Sequence, residues 1–274
     1  MKEMSMQEQR DMMLDILKDI HAFCEKENIM YSLAYGSLIG AIRHQGFIPW
    51  DDDIDICMPR LDYERFIKSY KSDKYDVAFC GEGCKYDCLI AYARVFDKKE
   101  TIAKNAHWIS ERTGLWIDVF PLDGVPEDPK TYEALFEEMR KEWERIIPKK
   151  VQFTRITDQQ GIKNKLRLLK KKIKLLNGLG GHKMQRVFNK KMVAIPYEGA
   201  KYYSNLAVLD GGLEHIPAET FQETILIKFE DTYFRAMKGY DLMLKTFYGN
   251  YMELPPEEKR IPHQSYIRFY WKNK

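Results

Sequence analysis

Phe47-Ile48-Pro49-Trp50-Asp51-Asp52-Asp53-Ile54-Asp55-Ile56, with Gly36-Ser37 a short distance before it, is the stretch on which this chain turns. Four carboxylates in five residues repel one another, and a folded chain avoids that unless something cationic sits among them. Alternate side chains of a β-strand share a face. A strand beginning near Asp53 therefore points Asp53 and Asp55 one way and buries Ile54 and Ile56 the other. Two carboxylates one strand step apart suit a divalent cation, and Mg²⁺ favours oxygen ligands together with substrate phosphates. Asp51 shares the parity of Asp53 and Asp55 and joins the expected metal set. Asp52 has the opposite parity and is expected to face solvent or a basic partner. The expected chemistry is phosphoryl transfer.

Gly36-Ser37 falls at a strand-to-helix turn. Glycine lets a phosphate approach the backbone, and the Ser37 hydroxyl and helix N-terminal N–H groups can hold its oxygens. A third carboxylate is expected from a later strand, and Leu115-Trp116-Ile117-Asp118-Val119-Phe120 supplies it. An unpaired charge in so apolar a strand is costly. Asp118 is thus expected either to serve the metal or catalysis, or to pair with an arginine such as Arg94.

Outward from these motifs, Ser5 and Glu8 form a capping-box pattern. Met13, Ile16, Leu17, Ile20 and Phe23 then mark a helical stripe ending near Asn28. Residues 29–35, 53–58, 75–80, 89–96 and 115–120 read as strands, and 38–43 and the Tyr63–Tyr70 stripe as helices. The interleaving predicts an α+β (mixed α/β) fold. Gly124-Val125-Pro126-Glu127-Asp128-Pro129 is a break, dividing a core over 1–125 from a largely helical portion over 126–274 packed on it. Helices are expected around Tyr132–Ile146, Ile162–Leu176 and Tyr240–Tyr251, with a strand at Ile225–Phe229.

Gly36-Ser37 followed by a short helix and Asp53-x-Asp55 resembles the active-site organisation of the nucleotidyltransferase superfamily. The longer run from Tyr35 through Arg43-His44-Gln45-Gly46 to Asp55 resembles, more specifically, the signature of the LicD family, relatives of the fukutin-type transferases. Asp118-Val119-Phe120-Pro121-Leu122-Asp123, Phe229-Glu230-Asp231 and Tyr248-Gly249-Asn250-Tyr251-Met252 with Pro255-Pro256 fit the same pattern. The resemblance implies a nucleotidyltransferase-like mixed sheet flanked by helices. It also implies transfer of a phospho-alcohol from a CDP-activated donor, CDP-choline above all, to a hydroxyl of a cell-surface glycan precursor (teichoic acid, lipopolysaccharide or capsule), releasing CMP. Asp53, Asp55 and Asp118 are then the catalytic set and Asp51, Asp53 and Asp55 the ligands of Mg²⁺, with Mn²⁺ as the alternative ion. Gly36, Ser37, Arg43, His44 and Trp50 would hold the donor. A trimethylammonium group would seek an aromatic face, and Tyr35, Trp50, Trp108 and Trp116 lie near the motifs. Glu230, Asp231, Arg260 and His263 could meet the acceptor or be surface ion pairs.

Two other functions compete: transfer of a nucleotide from a triphosphate to a small molecule, protein or RNA, and a non-catalytic basic module that binds membranes. The formal net charge of +3 favours no partner by itself. From Lys163 to Lys191, however, there are eleven Lys or Arg residues and no acid. That run is either a solvated face or a contact with an anionic membrane, suited to a lipid-linked acceptor. No nucleic-acid reader motif accompanies it. Without an apolar signal core or a spanning run, the chain is expected in the cytoplasm, peripheral at the inner membrane face. Cys80, Cys84 and Cys88 have a spacing of three rather than the usual zinc spacing and read as small buried or loop residues.

Overall fold

The computed structural model describes residues 1–79, 86, 90–104, 113–146, 188–208, 214–262 and 267–273. The thiols of Cys80, Cys84 and Cys88, Trp108, His263, the expected 162–176 helix and most of the basic run lie outside them.

Helix α1 (Met6–Glu27) opens on the expected capping box: the Glu8 N–H donates to Ser5 Oγ at 3.2 Å, and the Ser5 N–H donates to Glu8 Oε2 at 2.8 Å. Asn28 ends the helix in the left-handed region, φ 51°. Met13, Ile16, Leu17, Ile20 and Cys24 form its buried stripe. Each aliphatic side chain of that stripe contributes about 1.5–3 kcal/mol of burial. Phe23 is only half-buried and packs edge-on against Phe66 and Tyr70.

The central sheet runs β1 (Ser32–Leu33), β2 (Asp55–Pro59), β6 (Trp116–Val125), β4 (Ala93–Asp97), β3 (Tyr75–Ala78). Only β2 and β6 are parallel. Every residue of β6 is buried, as expected for a strand covered on both faces. Pro121 falls between the stretch of β6 that pairs with β4 and the stretch that pairs with β7 (Tyr202–Ser204), where a missing N–H is tolerated. Helices α2 (Tyr35–His44) and α3 (Arg60–Ser69) flank β2 in sequence.

The second half is more strand-rich than its sequence suggests. Its described residues include helices α4 (Pro129–Ile146) and α5 (Tyr240–Tyr248), and also β7, β8 (Ile216–Pro217), β9 (Thr224–Phe229), β10 (Thr232–Met237) and β11 (Arg268–Trp271). These strands are woven into the first half. β7 extends the sheet from β6, and β11 pairs with β5 (Thr101–Lys104). The Ser32 hydroxyl of β1 accepts the Met237 N–H of β10 at 2.9 Å. The fold is mixed α+β, as its sequence implies. Among the described residues no helix is long and apolar enough to cross a membrane.

Candidate active site

The acidic segment and helix α2 are stitched together by backbone. The Ala34 N–H donates to the Asp55 carbonyl at 2.9 Å, and the Asp55 N–H donates to Ser37 Oγ at 2.9 Å. Strand β2 begins at Asp55, two residues later than its sequence suggests, so residues 51–54 are not in strand geometry. Strand parity therefore does not place Asp52, and of the two expectations for it, solvent or a basic partner, the first is corrected. Asp52 is buried, and the ligand oxygens of Asp51, Asp52 and Asp53 lie within 4.8 Å of one another.

Other elements hold this loop from below. Arg10 of α1 donates to the carbonyls of Ile48, Pro49 and Asp51 at 3.1, 2.9 and 2.8 Å. The Glu230 carboxylate accepts the Phe47 N–H at 2.9 Å, while the Glu230 N–H donates to the Gln45 carbonyl at 2.8 Å. Glu230 thus braces the approach to the acids, and Asp231 forms an exposed pair with Lys18 at 2.9 Å. A Cβ at Gly36 would lie 2.6 Å from Asp51 Oδ2, so any other residue there would displace the Asp51 carboxylate. The first turn of α2 consequently receives the Asp51 carboxylate at its N-terminus, the end of the helix dipole that favours negative charge.

A cavity of about 580 Å³ opens beside these acids, lined by Gly36, Ile39 and Arg43 of α2, by Trp50, Asp51, Asp53 and Asp55, and by the segment from Tyr248 to Lys259. Of the expected donor-binding residues, Gly36, Arg43 and Trp50 are on its wall, and Ser37 and His44 are not. Ser37 is buried with its oxygen committed to Asp55, so it fastens α2 to β2. His44 accepts from Arg43 Nε at 3.4 Å, and burial with the neighbouring guanidinium lowers its pKa.

Burial pushes the Asp51 carboxyl up to about 6, against the pull of Asp53 contacts and Arg10. Asp55 is held well above the usual carboxylate range by burial first, then by Asp53, Asp118 and Asp51, with only Arg94 opposing. Crowded carboxyls with raised pKa values, beside a cleft, are what a divalent cation relieves. Asp51, Asp52 and Asp53, whose ligand oxygens lie together, fit such an ion, since all are oxygen donors as Mg²⁺ requires, and Asp55 stands on the same cavity wall.

Asp118 takes the arginine of the two alternatives. It faces Asp55 across the parallel β2–β6 pair, and Arg94 Nε donates to its Oδ1 at 2.5 Å. Burial raises its pKa and Arg94 lowers it. Asp123, further along β6, is matched the same way by Arg60, at 2.6 and 2.7 Å. Trp116 lies in the core under the Arg94 guanidinium, 4.3 Å from it, and is not on the cavity wall. The face of Trp50 is also taken, by Arg260 at 5.5 Å, which disfavours a second cation there.

Glu214 was not legible as a site residue. It accepts hydrogen bonds from the Tyr35 hydroxyl at 3.0 and 3.1 Å and from the Asn205 N–H at 3.2 Å, while Asn205 Nδ2 donates to the same hydroxyl at 2.8 Å. Burial pushes Glu214 up to about 7. This clamp holds Tyr35, which sits in the left-handed region at φ 48° immediately before Gly36. Arg10 was equally invisible, because an arginine on the polar face of α1 carries no motif. Within the basic run, Lys191 is described and pairs with Glu138 and Glu142 at 2.6 and 2.7 Å.

A family model described as "LicD/FKTN/FKRP, nucleotidyltransferase domain" matches residues 28–155. The lipopolysaccharide cholinephosphotransferase LicD of Haemophilus influenzae is 34% identical over 272 residues, covering 96% of this chain and 97% of its own length. An uncharacterized protein of Rickettsia typhi is 37% identical over 78 residues, a quarter of each chain. A further one, from Rickettsia prowazekii, is 34% identical over 95 residues, 33% of this chain and 36% of its own. Similarity carried from end to end of a named transferase, and over the very segment that folds into the acid-lined cleft, establishes that this chain belongs to the LicD family of phosphotransferases.

Proposed function

We propose that this protein transfers phosphocholine from CDP-choline to a hydroxyl of a lipopolysaccharide saccharide, releasing CMP. The observation that carries the proposal is the end-to-end similarity to a lipopolysaccharide cholinephosphotransferase, coupled with a cleft whose wall is Asp51, Asp53 and Asp55. Asp51, Asp52, Asp53 and Asp55 would hold Mg²⁺ or Mn²⁺. Such an ion, when bound, neutralises charge on the diphosphate and on the departing CMP.

The chain's own contribution is preorganisation. Arg10 and Glu230 fix the loop so that the carboxylates are in place before any ligand arrives. Ser37 locks α2 to β2, and Gly36 leaves bare backbone beside Asp51. Asp118, engaged by Arg94, is read as an anchor for this frame and not as the acceptor of the sugar proton. Fixed charge of this kind costs no reorganisation during reaction.

The test is incubation of the purified protein with Mg²⁺, a panel of CDP-alcohols and lipopolysaccharide, with products weighed by mass spectrometry. CMP release with a phosphocholine mass added to the saccharide is expected. Pyrophosphate release from a triphosphate, with no reaction of any CDP-alcohol, contradicts the proposal in favour of nucleotidyl transfer.

A further inference from the structure

The cavity follows one face of α2. Gly36, Ile39 and Arg43 all line it, and seven helical residues separate its first from its last, about 10 Å of rise. Its ends carry opposite charge. The aspartates stand at the Gly36 end. Arg43 stands at the other end, Lys259 is also on the wall, and Arg260 lies over Trp50.

Arg43 and Arg260 are held chiefly by backbone carbonyls. Arg43 Nη1 donates to the carbonyls of Tyr251 and Glu253 at 2.7 and 3.0 Å, and Arg260 Nε donates to the Pro255 carbonyl at 2.8 Å. Among the described residues no carboxylate forms an ion pair with Arg43 or Lys259. For Arg260 the contact is Glu257, at 4.0 Å with its side chain 91% exposed. Glu253 shares the wall, but its carboxylate already accepts from Asn250 Nδ2 at 2.6 Å. Burial lowers the pKa of Arg43, and so does Arg260, because each guanidinium opposes the other's charge.

Resting on the reading of the aspartate end as the site of the donor's diphosphate, we propose that the cations Arg43, Lys259 and Arg260 bind a phosphate group of the acceptor saccharide. The two phosphorus atoms of a diphosphate share one bridging oxygen. Along the helix axis the Gly36 and Arg43 backbones are about 10 Å apart, more than separates the two phosphorus atoms of a diphosphate. The cations answer a different anion, one that sets which hydroxyl of a charged saccharide reaches the donor. Charge-assisted bonds from arginine and lysine to phosphate oxygens are strong enough to decide that choice.

The test is calorimetric titration of the intact protein, in EDTA, with a deacylated lipopolysaccharide core oligosaccharide carrying phosphate, with the same oligosaccharide after dephosphorylation, and with CMP. The phosphorylated form should bind about tenfold or more tightly than the dephosphorylated one, the effect of one charge-assisted hydrogen bond. Lys259→Gln should erase that preference and leave CMP binding and Tm unchanged, and Arg260→Gln should erase it as well. Equal binding of the two oligosaccharides, or no binding of either, overturns the inference. Loss of CMP affinity in the variants with the oligosaccharide preference intact also overturns it, by assigning the cations to the donor. Whether CDP-choline is the donor is read separately from CMP release: an inert CDP-choline with a retained preference for phosphate removes the donor reading and not this one.

Discussion

Asp118 and Asp123 on β6 and the aspartates of residues 51–55 are close neighbours in one sheet, and their surroundings differ in kind. Each β6 acid is buried against an arginine, Arg94 or Arg60. Asp55, one strand away from Asp118, has its charge opposed by three other carboxylates besides burial. The chain balances the first pair internally. At the second site it concentrates carboxylates beside a cavity, and Arg10, Glu230 and Ser37 fix the backbone that carries them. The difference separates acids matched by an arginine from acids crowded on a cavity wall, the arrangement that the proposed cation would relieve.

The sharpest break between the two is activity against stability. Asp55→Ala should lower CMP release from CDP-choline by about a thousandfold or more, several kcal/mol of barrier. Its melting temperature in EDTA should stay level or rise, because a costly buried charge is gone. Asp123→Asn should do the reverse. It strands the buried Arg60, and chemical denaturation should show a loss of about 3–5 kcal/mol.

A third carboxyl sharpens the contrast because it belongs to neither group. Glu214 is pushed up to about 7 by burial and is clamped to Tyr35. The native state keeps this proton where the unfolded chain, near 4.5, has lost it. Its contribution is therefore in place below about pH 4.5 and is lost as pH rises through about 7, at about 1.4 kcal/mol per unit. Glu214→Gln should flatten the stability–pH curve across that window, read by urea unfolding at each pH; an unchanged slope contradicts the assignment.

The smallest expected effect is at Gly36. The Cβ of Gly36→Ala collides with Asp51 Oδ2. We expect a stability cost of about 1 kcal/mol by thermal unfolding and weaker Mg²⁺ affinity by calorimetry. Full affinity in a folded variant would detach Asp51 from the ion.

Much of this contrast is legible in the sequence because it is local. The run of aspartates, the Gly-Ser turn, the Ser5–Glu8 cap and the apolar strand around Asp118 each announce their chemistry within a few residues. What escaped depends on tertiary context. Strand parity misplaced Asp52 because β2 begins only at Asp55, after a segment whose carbonyls Arg10 holds. The partner of Asp118 comes from a neighbouring strand, so periodicity could pose Arg94 as an alternative but not choose it. The clamp of Tyr35 by Glu214 and Asn205 joins positions about 170–180 residues apart, and no local signal marks such a pairing. The strand expected at Ile225–Phe229 is β9, whereas β7, β8, β10 and β11 were hidden in a half whose helical stripes are stronger than its alternating ones.

The most direct measurement of the central claim is titration of Mn²⁺ into the metal-free protein, followed by electron paramagnetic resonance, with and without CDP-choline. The account predicts one bound ion, tightened by the donor and lost in Asp53→Asn and Asp55→Asn, while Lys259→Gln retains it. An ion that binds the aspartate variants as well as the parent, or fails to bind the parent with donor present, would contradict it.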